Sequence, residues 1–158
     1  MKLFLIFIIS LTIVSSSRSF EWKEFNENLP KLPINSVHGG HDNSGKKLYI
    51  IRKNLNGKIL YGDVGDGNDK KDGFVIDIDE DGETSVADFE ILTAENYVWC
   101  AASSNNLNQE FPICRSPRGN DLLTGTLLSN GNCRLVHPEK TIKTNDVEVL
   151  IVGKTNCN

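Results

Sequence analysis

The chain has 158 residues, 24% of them charged and 39% hydrophobic, with a formal net charge of −4. An acidic balance without a Lys/Arg run repels phosphate backbones and anionic headgroups, which excludes nucleic acid and anionic lipid surfaces as expected partners. A chain of this size fits one ordinary domain or two small repeats sharing a core.

In chain order, Lys2 precedes the apolar run Leu3–Val14, and the small residues Ser15–Ser17 and Ser19 follow. That sequence of features marks residues 1–19 as a secretory signal peptide, and a run of 12 residues is too short for a spanning helix, so no membrane anchor is expected. The mature chain, 20–158, carries 15 basic and 21 acidic residues, a net charge of about −6.

Beyond the leader the pattern is of short, period-two apolar runs broken by Gly, Asn and Asp. The clearest are Lys47–Arg52, Lys58–Tyr61, Gly73–Asp79, Asp88–Leu92, Tyr97–Ala101, Asp121–Leu128, Cys133–His137 and Asp146–Val152. Each has strand length and is bounded by turn residues, and no run of ten residues has helical period. Asn56-Gly57 and Asn130-Gly131 read as hairpin turns, since both central residues of such a turn take φ > 0; Asp81-Gly82 reads as a third. The fold class is all-β, a sandwich or barrel.

The pattern also repeats. Asp88–Leu92 (DFEIL) matches Asp146–Leu150 (DVEVL), Phe74-Val-Ile matches Cys133-Arg-Leu, and Ile59–Val64 matches Leu122–Leu127. Trp22 and Trp99 open the two blocks, so equivalent core positions are expected for them. The division is a first β repeat over 20–95 and a shorter, disulfide-bearing one over 96–158, which lacks an equivalent of GGHDNSGKKLYIIR. A unit of that size buries little surface alone, so the copies are expected to share one core. Cys100, Cys114, Cys133 and Cys157, an even number in an exported chain, read as two disulfides, with three pairings open. There is no N-glycosylation sequon.

Two constellations carry possible chemistry. The loop GGHDNSG (39–45) offers His41 and Asp42, and Arg52 lies in the strand after it; planar donors and acceptors of this kind suit vicinal hydroxyls. The alternative is a plain turn with glycine for φ > 0 and Asp for local hydrogen bonds. Asp77, Asp79, Asp81, Glu83 and Asp88 have the spacing of a calcium loop, including Gly82 at its sixth position. Its flanks read as strands rather than helices, and the alternative is an acidic hairpin facing water. The run 63–72 reads as a solvated loop. His38, His41 and His137 are scattered with no catalytic order, so no enzyme is expected.

The order Trp22, LPINSVHGGHDNSGKKLYIIR, NGKILYGDV, Gly82-Glu83 and DFEIL resembles the DM-nine repeat, most specifically over 32–64. That repeat occurs in pairs in small invertebrate proteins and beside the pore-forming module of natterin-like toxins. The resemblance implies two intertwined β repeats about a pseudo-twofold axis and, in members with an assigned activity, lectin-like binding of mannose-type sugars in innate recognition. It also implies a sugar site formed by the acidic residue after the paired glycines, here Gly39, Gly40 and Asp42, and by a lysine after a later glycine. Asp63, following Gly62, stands in that lysine's place. The resulting site is Gly40, His41, Asp42, Arg52 and Asp63, with glycans as partners, no obligatory cofactor and a homodimer as an option. Two alternatives accompany it: a salivary or venom component acting on a host or prey protein with no sugar site, and a calcium-stabilised β module.

Overall fold

The computed structural model describes residues 19–26, 28–29, 31–66, 73–77, 82–104, 106–135 and 142–157. The expected signal peptide, apart from Ser19, lies outside them. Among the described residues there are thirteen strands and no helix: β1 (Phe20–Phe25), β2 (His38–His41), β3 (Lys47–Leu55), β4 (Lys58–Gly65), β5 (Gly73–Asp77), β6 (Gly82–Val86), β7 (Phe89–Ala94), β8 (Tyr97–Ala101), β9 (Ile113–Arg118), β10 (Asp121–Leu127), β11 (Cys133–Leu135), β12 (Ile142–Thr144) and β13 (Glu148–Val152). All belong to one antiparallel sheet, which branches and does not close into a barrel.

The pairing order recurs. In residues 20–94 the ladder runs β1-β7-β3-β4-β5-β6; in residues 97–152 it runs β8-β13-β9-β10-β11-β12. Registers match residue by residue. Trp22 faces Leu92 and Trp99 faces Leu150; Ile51 faces Ile91 and Cys114 faces Val149. Gly62 pairs with Val75 and Gly125 with Leu135. The last pair corrects the sequence alignment of Phe74-Val-Ile with Cys133-Arg-Leu by one position: Phe74 corresponds to Arg134, because the registers rather than the hydrophobic match fix the equivalence.

Among the described residues, strand β2 has no counterpart in the second half. It pairs with β3 on one side and, at His41 and Leu122, with β10 on the other, so it joins the halves. Among the described residues, β2 is the one strand that pairs across the two halves. A Cβ on Gly40 would lie 1.8 Å from the Leu122 carbonyl oxygen, which leaves no alternative to glycine there.

Burial follows the same plan. One cluster, including Phe25, Ile51, Leu60, Val75, Phe89 and Ile91, fills the first half. Another, including Cys114, Leu123, Leu127, Leu135, Val147 and Val149, fills the second. A third is shared: Val37, Ile50, Leu92 and Ala94 pack with Phe111, Ile113 and Leu150, with Trp22 and Trp99 half-buried at its margin. Phe111 meets both Phe20 and Trp22 edge-on, at 5.0 and 5.4 Å between centroids.

The disulfides are Cys100–Cys157 and Cys114–Cys133, which resolves the three pairings left open by the sequence and marks an oxidising environment. Cys114 and Cys133 stand where the first half has Ile51 and Gly73. A Cβ on Gly73 would lie 2.2 Å from Ile51 Cδ1. A large side chain over a glycine in one half and a covalent bridge in the other fill the same space.

Two stability results follow. Cys114→Ser with Cys133→Ser loses about 3 kcal/mol by the loop-entropy argument, while Cys114→Ile with Cys133→Gly, which copies the first half, recovers at least half of that loss in urea unfolding. Gly73→Ala overpacks the site and costs about 1–3 kcal/mol; an unchanged urea midpoint would contradict this packing.

Candidate functional site

The Asn56-Gly57 turn has φ of 53° and 86°, the mirror-image hairpin expected from the sequence. At Asn130-Gly131 only the glycine has φ > 0. Gly131 N–H donates to the Leu128 carbonyl at 2.9 Å and Asn132 N–H to Asn130 Oδ1 at 3.1 Å, so the connection is a longer loop than the two-residue turn expected.

The five residues assigned to a sugar site divide among three places. Asp42 closes the β2–β3 turn. Its Oδ1 accepts from Ser44 Oγ at 2.6 Å and from the N–H groups of Ser44 and Lys46 at 2.9 Å each. Those bonds, the Ser44 hydroxyl first, hold the carboxyl below its ordinary pKa. His41 turns its Nδ1 toward the Asp42 carbonyl at 3.2 Å, and Gly40 is buried against β10. The turn reading of GGHDNSG therefore accounts for Asp42 Oδ1.

Asp63 is elsewhere. It faces Ile50 across the β3–β4 ladder, is 5% exposed, and accepts a hydrogen bond from Thr124 Oγ1 of the other half. Burial drives its pKa up to about 7, against the opposing pull of the Thr124 hydroxyl. An acid in this position serves the joint between the halves and presents nothing to a solvent-borne sugar. Strand alternation gives no signal for this: it buries Leu60, Gly62 and Val64 on one face of β4 and sets Asp63 on the other, which is buried only because the second half packs there.

Arg52 is in the third place. It lies five residues along β3 from Lys47, which pairs with His41, so it is on the order of 17 Å from the Asp42 turn. Its Nε donates to Glu90 Oε2 at 2.6 Å and a terminal nitrogen to Glu90 Oε1 at 2.9 Å, a bidentate pair. The guanidinium stacks on Trp22, 4.5 Å from the ring centroid. The second half repeats this arrangement: Arg115 donates to Glu148 Oε2 at 2.7 Å and stacks on Trp99 at 4.5 Å. Sequence reading found Arg52 but missed Glu90, Arg115 and Glu148; Arg52 and Arg115 occupy the same register position, and DFEIL and DVEVL carry the two glutamates.

The copies differ in surroundings. Arg115 also donates to the Gly39 carbonyl at 3.4 Å and Trp99 Nε1 to the His38 carbonyl at 3.1 Å, so β2 covers that triad. Around Arg52 there is instead an open groove of about 510 Å³, lined by Glu24, Asn26, Arg52, Lys53, Asn54, Asp88 and Glu90 over the buried rings of Phe25 and Phe89. This groove is the candidate site.

Of the described members of the calcium constellation, Asp77 and Glu83 lie at neighbouring positions of the β5–β6 hairpin, and Asp88 does not join them. Asp77 pairs with Lys58, Asp77 faces Gly82 at one end of the β5–β6 hairpin, and Asp88 follows the other end, on the order of 20 Å along β6. Asp79 and Asp81 lie outside the described residues, as do His137 and most of the 63–72 loop. The flanks are strands, as the sequence indicates. No helix among the described residues is long and apolar enough to cross a membrane. Comparison with known proteins finds no family model that matches the chain and no curated protein that matches it.

Two outcomes test these placements. Asp63 keeps its proton in the folded chain up to about pH 7, whereas in the unfolded chain it ionises near 3.8. The folded state thus holds the extra proton between those values, and stability falls as pH rises through that window and levels off above it. Asp63→Asn removes this dependence, so its melting temperature gains on that of the unaltered chain between pH 4 and 8; parallel curves would contradict the buried acid. Second, EDTA leaves the melting temperature unchanged, since an ion bound only by the folded state must raise it.

Proposed function

We propose that the protein is a secreted, non-enzymatic recognition protein that binds glycans in the groove around Arg52. The observation that carries this reading is the groove itself: planar donors and acceptors from three segments of chain, with the central Arg52–Glu90 pair held rigid by the Trp22 face. Sugars are selected by such fixed, mixed polar groups, and a preordered pair costs little ordering entropy on binding. The leader over 1–19 and the two disulfides support secretion. The resemblance to the DM-nine repeat supports the ligand class. Mannose-type specificity is the resemblance's contribution, and with Asp63 buried it must rest on other residues than the pair implied by that family.

The test is a glycan array with the mature chain, 20–158. Binding falls at least tenfold in Lys53→Ala with Asp88→Ala, two groove residues whose removal leaves the core untouched, and stays within twofold in Asp42→Ala. Loss in Asp42→Ala alone would move the site to the β2–β3 turn. Silence across the array favours the second reading, a salivary or venom component acting on a host or prey protein, which the burial of Asp63 and the local use of Asp42 Oδ1 already favour.

A further inference from the structure

The two halves have the same ladder, but one of them holds a segment that the other lacks. In the first half β7 pairs with β1 along one side, and with β3 only at Glu90 and Ile91 on the other. Beyond Ile91, β3 and β7 diverge, and the chain fills the gap with Asn35–Val37. Ser36 bridges to Thr93, Val37 N–H donates to the Leu92 carbonyl at 2.8 Å, and Ala94 N–H donates to the Asn35 carbonyl at 3.0 Å. Ile50 N–H in turn donates to the Val37 carbonyl at 3.1 Å. Val37 is fully buried in the shared core.

In the second half β13 pairs with β8 along one side, and with β9 only at Glu148 and Val149. Leu150, Ile151 and Val152 are the counterparts of Leu92, Thr93 and Ala94. Among the described residues, no strand pairs with the β9-facing side of these three. The reason is length. Residues 26–46 connect β1 to β3, whereas only residues 102–112 connect β8 to β9. The shorter connection is drawn into a local turn, where Asn106 accepts from Ser103 N–H at 2.7 Å and donates to the Ala101 carbonyl at 2.8 Å. Ile113 N–H is satisfied locally by the Phe111 carbonyl at 2.8 Å, whereas Ile50 N–H takes the Val37 carbonyl as its acceptor. Phe111 thus supplies the apolar plug without supplying a strand. What remains is a cavity of about 550 Å³ along β13, with Phe111, Leu150, Ile151 and Val152 among its lining and Glu110 and Lys154 at its rim.

We propose that this cavity is a docking site for an extended, uncharged peptide segment, which adds to β13 as Asn35–Val37 adds to β7. The chain carries its own template for the occupant. A carbonyl two residues before an N–H would meet Val152 N–H and the Leu150 carbonyl, and an apolar side chain after a small polar one would meet Phe111. Main-chain pairing supplies affinity in this mode and the alternate side chains supply selectivity. Glu110 and Lys154 carry opposite charges at the rim, which suits a segment without net charge. The site is separate from the Arg52 groove and stands whether or not that groove takes a sugar.

The probe is the peptide LPINSVH, the sequence of Leu32–His38, labelled and titrated into the oxidised mature chain without sugar. Saturable binding is expected. N-methylation at the valine, which removes the donor to Leu150, weakens binding at least tenfold, while N-methylation at the serine, whose N–H faces away from the strand, changes it less than threefold. In hydrogen exchange the Val152 amide of the free chain exchanges fast while the Ala94 amide is protected, and the peptide slows Val152 specifically. Absence of saturable binding, equal effects of the two N-methyl groups, or a Val152 amide already as protected as Ala94 would each overturn the proposal.

Discussion

The structure depends on how closely β2 lies against β10. Two ladders of related pattern join into one sheet along one short strand, and that strand can seat only because Gly40 has no side chain to hold it away from the Leu122 backbone. Once seated, β2 is tied to the second half from several directions: His38 N–H donates to Tyr97 Oη at 3.2 Å, its carbonyl accepts from Trp99 Nε1, and Arg115 reaches the Gly39 carbonyl. The shared apolar cluster and the buried Asp63–Thr124 hydrogen bond both lie at the same joint. The paired glycines of GGHDNSG thus answer a packing demand, and the carboxylate beside them shapes a turn.

The duplication shows how one backbone plan tolerates different fillings. Ile51 over Gly73 and the Cys114–Cys133 bridge occupy equivalent positions, one relying on apolar contact and the other on a covalent link. The Trp–Arg–Glu arrangement, by contrast, keeps its composition in both halves while its surroundings change, since β2 covers one triad and the Arg52 groove lies open beside the other. A stacked, bidentate arginine spanning two strands pins their register in either setting. Its recurrence speaks for a role in the ladder; only the open groove distinguishes the Arg52 copy as a place for a ligand.

The all-β class and eight of the strands were legible in the sequence because their apolar alternation was strong. The other five escaped for identifiable reasons. β2 is HGGH, with no alternation; β6 is GETSV, nearly all polar; β9 carries Pro117 and two arginines; β1 is half charged; β12 has three residues. Without β9 the second half has no hairpin with β10, so the Gly119 turn, with φ of 60°, was missed as well. The candidate site was legible only in part. Arg52 could be picked out by its place in the apolar run KLYIIR, but its partners Trp22 and Glu90 come from β1 and β7, and tertiary pairing alone brings them together. Asp63 was misplaced because a carboxylate after a glycine reads as a loop residue until its neighbours in the ladder are known.

Both disulfides lie within residues 97–157, and β7 passes to β8 through Glu95 and Asn96 alone. The halves are therefore linked covalently by that connection and otherwise by the β2 seam, the shared apolar cluster and Asp63. Scission between Glu95 and Asn96 would leave two fragments, one stapled and one not, whose reassociation would measure the strength of the seam directly. A protein with this layout is suited to fragment complementation, in which either piece is exchanged for a variant without refolding the other.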